Sequence, residues 1–128
     1  MKIVNLEQGS PEWHAFRRTH ANASEAGCIM GANPWKPKTW LQLWRIKNGM
    51  DAIVQTSAMR RGLEREELTR QWARDTFRLD FNPAVVVDDD DFMAASLDGI
   101  AGSVILEIKN PGPQSETWKH ALQGKIEP

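Results

Sequence analysis

The chain has 128 residues, 41% hydrophobic and 26% charged, with a formal net charge of -1; that is enough for one domain with a core and too little for two ordinary ones. This balance excludes a disordered or collagen-like chain and a polycationic nucleic-acid binder. Cys28 is the single cysteine, which excludes an intrachain disulfide and a cysteine metal finger and fits a reducing cytoplasm best. The start, MKIVNLEQGSPEW, has no apolar signal core, and no run approaches the ~18 apolar residues of a membrane span. Charge is segregated: residues 1–80 carry 13 Lys and Arg against 9 Asp and Glu (net +4), residues 81–128 carry 3 against 8 (net -5). An acidic metal site beside a basic, anion-gripping surface would produce this pattern, and so would chance segregation of solvated side chains.

In chain order, Ser10-Pro11 opens a helix over PEWHAFRRTH, with serine as the cap and proline at the first helical position. A second helix is predicted in NASEAGCIMG, where Ala26, Ile29 and Met30 recur at helical spacing and Gly31 ends the run. Pro34 and Pro37 mark a loop. Thr39 caps WLQLWRIKN, with Trp40, Leu43 and Trp44 on one face. The longest helical pattern is TSAMRRGLEREELTRQWARDTF. Its apolar face gathers Met59, Gly62, Leu63, Ala73 and Phe77, together with Glu66 and Arg70.

After Pro83 the period shortens to two. AVVV and FMAASLD read as strands around the turn Asp88 to Asp91, and SVILEIK as a third strand after an Asp98-Gly99 turn signal. The aspartate run reads as a solvated turn, since adjacent strand residues cannot converge on one ion. A tail helix begins near Ser115 or Thr117 in SETWKHALQG. Helices, then strands, then a helix give an α+β (mixed α/β) class.

In SVILEIK, Val104, Leu106 and Ile108 face one way and Ile105, Glu107 and Lys109 the other. Asp98, across the hairpin, can approach Glu107. Two converging carboxylates repel unless a hard cation such as Mg²⁺ sits between them with positions open for water and phosphate oxygen. Lys109 on the same face could orient or deprotonate that water, or offset charge on phosphorus. Asp, apolar strand and Glu-x-Lys form the PD-(D/E)xK nuclease signature; a solvated strand face with an ordinary cross-strand pair produces the same three charges. His14, His20 and His120 lack ligand spacing. The six tryptophans read as core and packing residues, except Trp35, which the Pro-bounded loop offers for stacking on a base or wedging a duplex end.

The chain resembles the phage lambda exonuclease family of YqaJ-type viral recombinases in five pieces: EQGSPEWHAFR, ASE (Ala23 to Glu25), MRRGLERE (Met59 to Glu66), SLDG (Ser96 to Gly99) and LEIKNP (Leu106 to Pro111). The resemblance implies one exonuclease domain over residues 1–128. It would have a restriction-endonuclease-like PD-(D/E)xK core, with N-terminal helices followed by a mostly antiparallel to mixed sheet. It further implies that Asp98, Glu107 and the Ile108 carbonyl hold catalytic Mg²⁺, for which Mn²⁺ can substitute. Lys109 positions the water, Glu66 completes the metal site or helps the base step, and Arg17 and Ser24 hold the 5′-phosphate of the strand being cut. Each also has a plainer reading: Arg17 beside Arg18 as surface charge, Ser24 as an N-cap, and Glu66 as an i,i+4 partner of Arg70.

The implied activity is a 5′→3′ exonuclease on ends of double-stranded DNA that leaves a 3′ overhang for homologous recombination. It would work beside a single-strand annealing protein in the bacterial cytoplasm, and as a ring-shaped homotrimer. A structure-selective or restriction-like endonuclease and a non-catalytic DNA-binding fragment are the alternatives. Leu97 stands where the family usually has Pro, and Asn110 where Cys is frequent. Family members continue past GKIEP into a helix carrying glutamines, so the expectation is a piece of a longer nuclease, incomplete at the C-terminus.

Overall fold

The computed structural model describes residues 1–34 and 37–124; the Trp35 reading falls outside them. The elements are β1 (Lys2–Val4), α1 (Pro11–Thr19), β2 (Ala21–Asn22), a 3-10 turn (Ala23–Glu25), α2 (Ala26–Ile29), α3 (Trp40–Lys47), α4 (Ser57–Phe77), β3 (Asn82–Val87), β4 (Met93–Ala101), β5 (Val104–Leu106) and α5 (Glu116–Leu122). The class is α+β, consistent with a PD-(D/E)xK nuclease core. Three helices open as their sequences require, with a side-chain oxygen accepting a free N–H of the first turn: Ser10 from Trp13 N (3.1 Å), Thr39 from Gln42 N (3.3 Å) and Thr56 from Met59 N (3.2 Å).

The five-stranded sheet runs β1-β3-β4-β2, antiparallel except for the parallel β2–β4 pair, with β5 also pairing antiparallel to β4. β2 and β5 therefore share the edge of β4 away from β3. β2 pairs with β4 as far as Ala94 and β5 from Gly99 onward, so among the described residues no strand lies beside Ala95 to Asp98 on that edge. β3 is covered on both faces: Val85, Val86 and Val87 are all buried, and with Cys28, Leu43, Ala73, Phe81, Ala94 and Ile108 they make the core.

Several expectations need correction. Asp98-Gly99 is no turn; it lies within β4, which runs on to Ala101 before reversing at Gly102 (φ 60°). Between the pairs Ala84↔Leu97 and Asn82↔Ile100, β3 contributes Pro83 alone and β4 both Asp98 and Gly99, a β-bulge. Pro83 has no N–H for the ladder here. Gly99 is needed for packing, since a Cβ there would lie 3.0 Å from Phe81 Cβ and 3.3 Å from Leu106 Cβ.

The segment NASEAGCIMG is a short strand, a 3-10 turn and one helical turn rather than one helix, because Asn22 pairs in the sheet before the chain coils. Ile29 and Met30 stay exposed while Cys28 is buried. On α4 the buried stripe centres on Arg70 and Ala73; Met59, Leu63 and Phe77 are exposed. The described tryptophans do not form the core: Trp13 is half-buried, and Trp40, Trp44, Trp72 and Trp118 are exposed. The small aliphatic residues of β3 and β4 fill it instead. The Asp88 to Asp91 segment is the solvated turn expected, with Asp91 at φ 57° and Asp88 Oδ1 accepting from Phe92 N (2.8 Å) and Met93 N (2.9 Å).

Candidate active site

At the start of the open edge of β4, Arg17 and Ser24 meet. Arg17 lies on the last turn of α1, and Ser24 in the 3-10 turn that follows β2; Arg17 Nη2 donates to Ser24 Oγ at 2.9 Å. Ser24 is exposed and Arg17 half-buried, so the pair is fixed from behind and open in front. The guanidinium sits 4.7 Å from the centroid of the Trp13 ring, a cation–π contact. Trp13 is one helical turn earlier, the spacing that stacks side chains on one helix face. Burial pulls the Arg17 pKa below the usual arginine value, and the Glu25 carboxylate opposes that shift.

Trp13 ties this pair to β4. Its Nε1–H donates to Ser96 Oγ at 2.9 Å, and Ser96 precedes Asp98 by two residues, which places both on one side of the strand about 7 Å apart along it. Asp98 anchors the far end of the edge. Its Oδ2 accepts from Ile108 N at 2.6 Å, so a side chain takes the amide just beyond the last β5 pair. The ladder ends at the pair of Gly99 with Leu106, and one residue before Gly99 it is the Asp98 carboxylate, not a strand pair, that meets the incoming chain. β5 stops at Leu106, and Glu107 and Lys109 therefore leave the sheet rather than continue a strand as expected. They still share one side, both exposed around buried Ile108, and pair with each other through Lys109 Nζ and Glu107 Oε1.

Glu66 connects to β4 through Arg70, the other charged residue that the helical wheel places on the same face. Arg70 is 4% exposed. Its Nη2 donates to Glu66 Oε1 (2.5 Å), its Nη1 pairs with Glu67, and its Nε donates to the carbonyl of Asp98 (2.6 Å), the residue opposite Pro83 in the bulge. The i,i+4 pairing of Glu66 with Arg70 is thus present, and it also connects Glu66 to Asp98. A helical wheel assigns burial to apolar residues, so an arginine buried by three partners gives only one sequence signal, its place in the Glu66 stripe. Trp13 and Ser96 lie in the quoted motifs, but nothing in their spacing announces that they touch.

Among the described residues, no three His, Cys, Asp or Glu side chains stand close enough to hold a metal by themselves. The groups that could hold a cation here are the Asp98 and Glu107 carboxylates and the Ile108 carbonyl, with Asp98 bonded to the Ile108 amide and Glu107 to Lys109. These are hard oxygen donors, which suit Mg²⁺ or Mn²⁺ over thiophilic metals. No described helix is long and apolar enough to cross a membrane.

Across residues 12–127 the chain matches the YqaJ-like viral recombinase domain, which points to a phage recombination nuclease. A search of curated proteins returned no match. With nearly its whole length matched, the chain belongs to the family of YqaJ-like viral recombinase domains.

Proposed function

We propose that the protein is a Mg²⁺-dependent 5′→3′ exonuclease that enters at ends of double-stranded DNA and leaves a 3′ overhang for homologous recombination. The observation that carries this reading is the alignment along one edge of β4. The Arg17–Ser24 pair connects through Trp13 to Ser96, two residues from Asp98, whose carboxylate accepts from the Ile108 amide between Glu107 and Lys109. An anion grip tied to the strand that carries Asp98, with Glu107 just beyond the paired end of β5, fits a terminal phosphate and the next phosphodiester.

In this reading Arg17 offers a planar fork of donors and Ser24 a hydroxyl to the 5′-phosphate. Asp98, Glu107 and the Ile108 carbonyl would hold Mg²⁺, which supplies charge neutralisation at the phosphoryl oxygens when bound. Lys109 holds the attacking water and offsets the negative charge gathering on phosphorus, and Glu66, steadied by Arg70, takes the water's proton. The water oxygen bonds to phosphorus and the P–O3′ bond breaks. The released nucleotide takes the 3′-hydroxyl, and the shortened strand again ends in a 5′-phosphate for Arg17 and Ser24. Contacts of this kind follow the backbone without reading bases. Work beside a single-strand annealing protein in the host cytoplasm, as a homotrimer, belongs to the same reading.

Digestion of labelled blunt duplex with 5′-phosphate or 5′-hydroxyl ends, alongside closed circular DNA, tests it. Mg²⁺-dependent loss of linear duplex with a 5′-phosphate preference is expected. Cutting of closed circles would make it an endonuclease instead, and binding without cleavage a DNA-binding module.

A further inference from the structure

The Arg17–Ser24 pair joins two separate pieces of backbone, the end of α1 and the 3-10 turn after β2. A helix end leaves carbonyl groups without partners, and here a lysine from a third element takes two of them. Lys47, in the last turn of α3, donates from Nζ to the carbonyls of Arg17 (2.7 Å) and His20 (2.6 Å), and pairs with Glu25 Oε2 at 2.9 Å. Asn22 Nδ2 donates to the same two carbonyls, at 2.8 and 3.0 Å, and the Asn22 amide donates to Glu25 Oε2 at 3.0 Å. The cluster thus grips Arg17 by its own carbonyl and Ser24 through its neighbour Glu25.

An ammonium group has three donors, and those of Lys47 are taken by two carbonyls and a carboxylate, with the side chain only 20% exposed. It has no donor left for a phosphate. Its charge has a second consequence. Glu25 is the carboxylate nearest in sequence to Ser24, and an unpaired anion there would draw the Arg17 guanidinium to itself and repel a phosphate. Pairing with Lys47, together with the Asn22 amide, keeps Glu25 Oε2 engaged and its charge partly offset.

We infer that Lys47 is a positioning residue for the anion grip, setting preference for phosphorylated ends without touching DNA. This rests on the exonuclease reading above. The test compares kcat/KM on 5′-phosphoryl and 5′-hydroxyl duplex for wild type, Lys47→Met and Glu25→Gln, the last keeping an acceptor for the Asn22 amide should the lysine variant fold poorly. Lys47→Met is expected to lower the phosphoryl-to-hydroxyl ratio about tenfold, the size of one charge-assisted hydrogen bond, with the change in KM. Glu25→Gln is expected to lower it less. A wild-type preference kept in both variants, or equal loss on both kinds of end, overturns the inference alone; a wild type blind to the 5′-phosphate overturns the exonuclease reading and the inference with it.

Discussion

At the start of the β4 edge, Arg17 and Ser24 are held by a ring stack, a hydrogen bond to each other, and the Lys47–Glu25–Asn22 cluster behind them. At the other end only Asp98 is held comparably, through the Ile108 amide and Arg70, while Glu107 and Lys109 stand in solvent and touch each other. The first region is organised by the protein's own polar network before any ligand arrives. In the second, the main chain is set and two side chains are not. An anchor for a fixed group such as a phosphate gains from rigidity, whereas groups that meet a cation and water can complete their geometry around them.

The largest expected effect lies at the looser end. Lys109→Ala should lower Mg²⁺-dependent cleavage of linear duplex by about 10²-fold or more, with the melting temperature unchanged because its side chain is 77% exposed. A variant as active as wild type would remove Lys109 from the chemistry. Next comes the link between helix and strand. Arg70→Met leaves Glu66 and the Asp98 carbonyl without this donor and Glu67 with Arg74 alone, and with both carboxylates partly exposed the loss is about 2–3 kcal/mol. Urea unfolding should show that loss; an unmoved midpoint would mean Arg70 does not hold α4 to β4.

Gly99→Ala sharpens the role of the bulge. A Cβ at 3.0 Å from Phe81 and 3.3 Å from Leu106 should destabilise by about 1–3 kcal/mol, as overpacking does, and wild-type stability would show that the strand has room to yield. The smallest effect belongs to the turn. The Phe92 amide, then that of Met93, holds the Asp88 carboxyl below the usual aspartate value. Its contribution is complete above the unfolded pKa and is lost as pH falls through the lower folded one. Asp88→Asn should therefore melt with a shallower acid dependence than wild type in that window, and identical slopes would discount the turn.

Much of the fold can be read from local chemistry. Ser10, Thr39 and Thr56 each cap the helix their positions announce, and four aspartates in a row make the turn between β3 and β4. Asp98-Gly99 misleads because the dipeptide favours a turn while its partner strand offers a proline; the outcome is a bulge, which depends on a pairing outside any local window. Arg70 and Lys47 are hidden for a related reason. Arg70 is buried and Lys47 half-buried, and each donates to carbonyls of other elements, contacts that hydrophobic periodicity does not register. Arg17 with Ser24 was legible through family resemblance, and the fold does bring them together; β2 and the 3-10 turn between them were not foreseen, since two residues pairing in parallel with β4 leave almost no pattern.

The proposed divalent-cation site around Asp98, beside the β4–β5 pairing, has a direct test. Titration of the protein with Mn²⁺, following the free-ion paramagnetic resonance signal, tests it without relying on turnover. Binding by wild type that is lost in Asp98→Asn is the predicted result; no binding by wild type, or equal binding by both proteins, would contradict it.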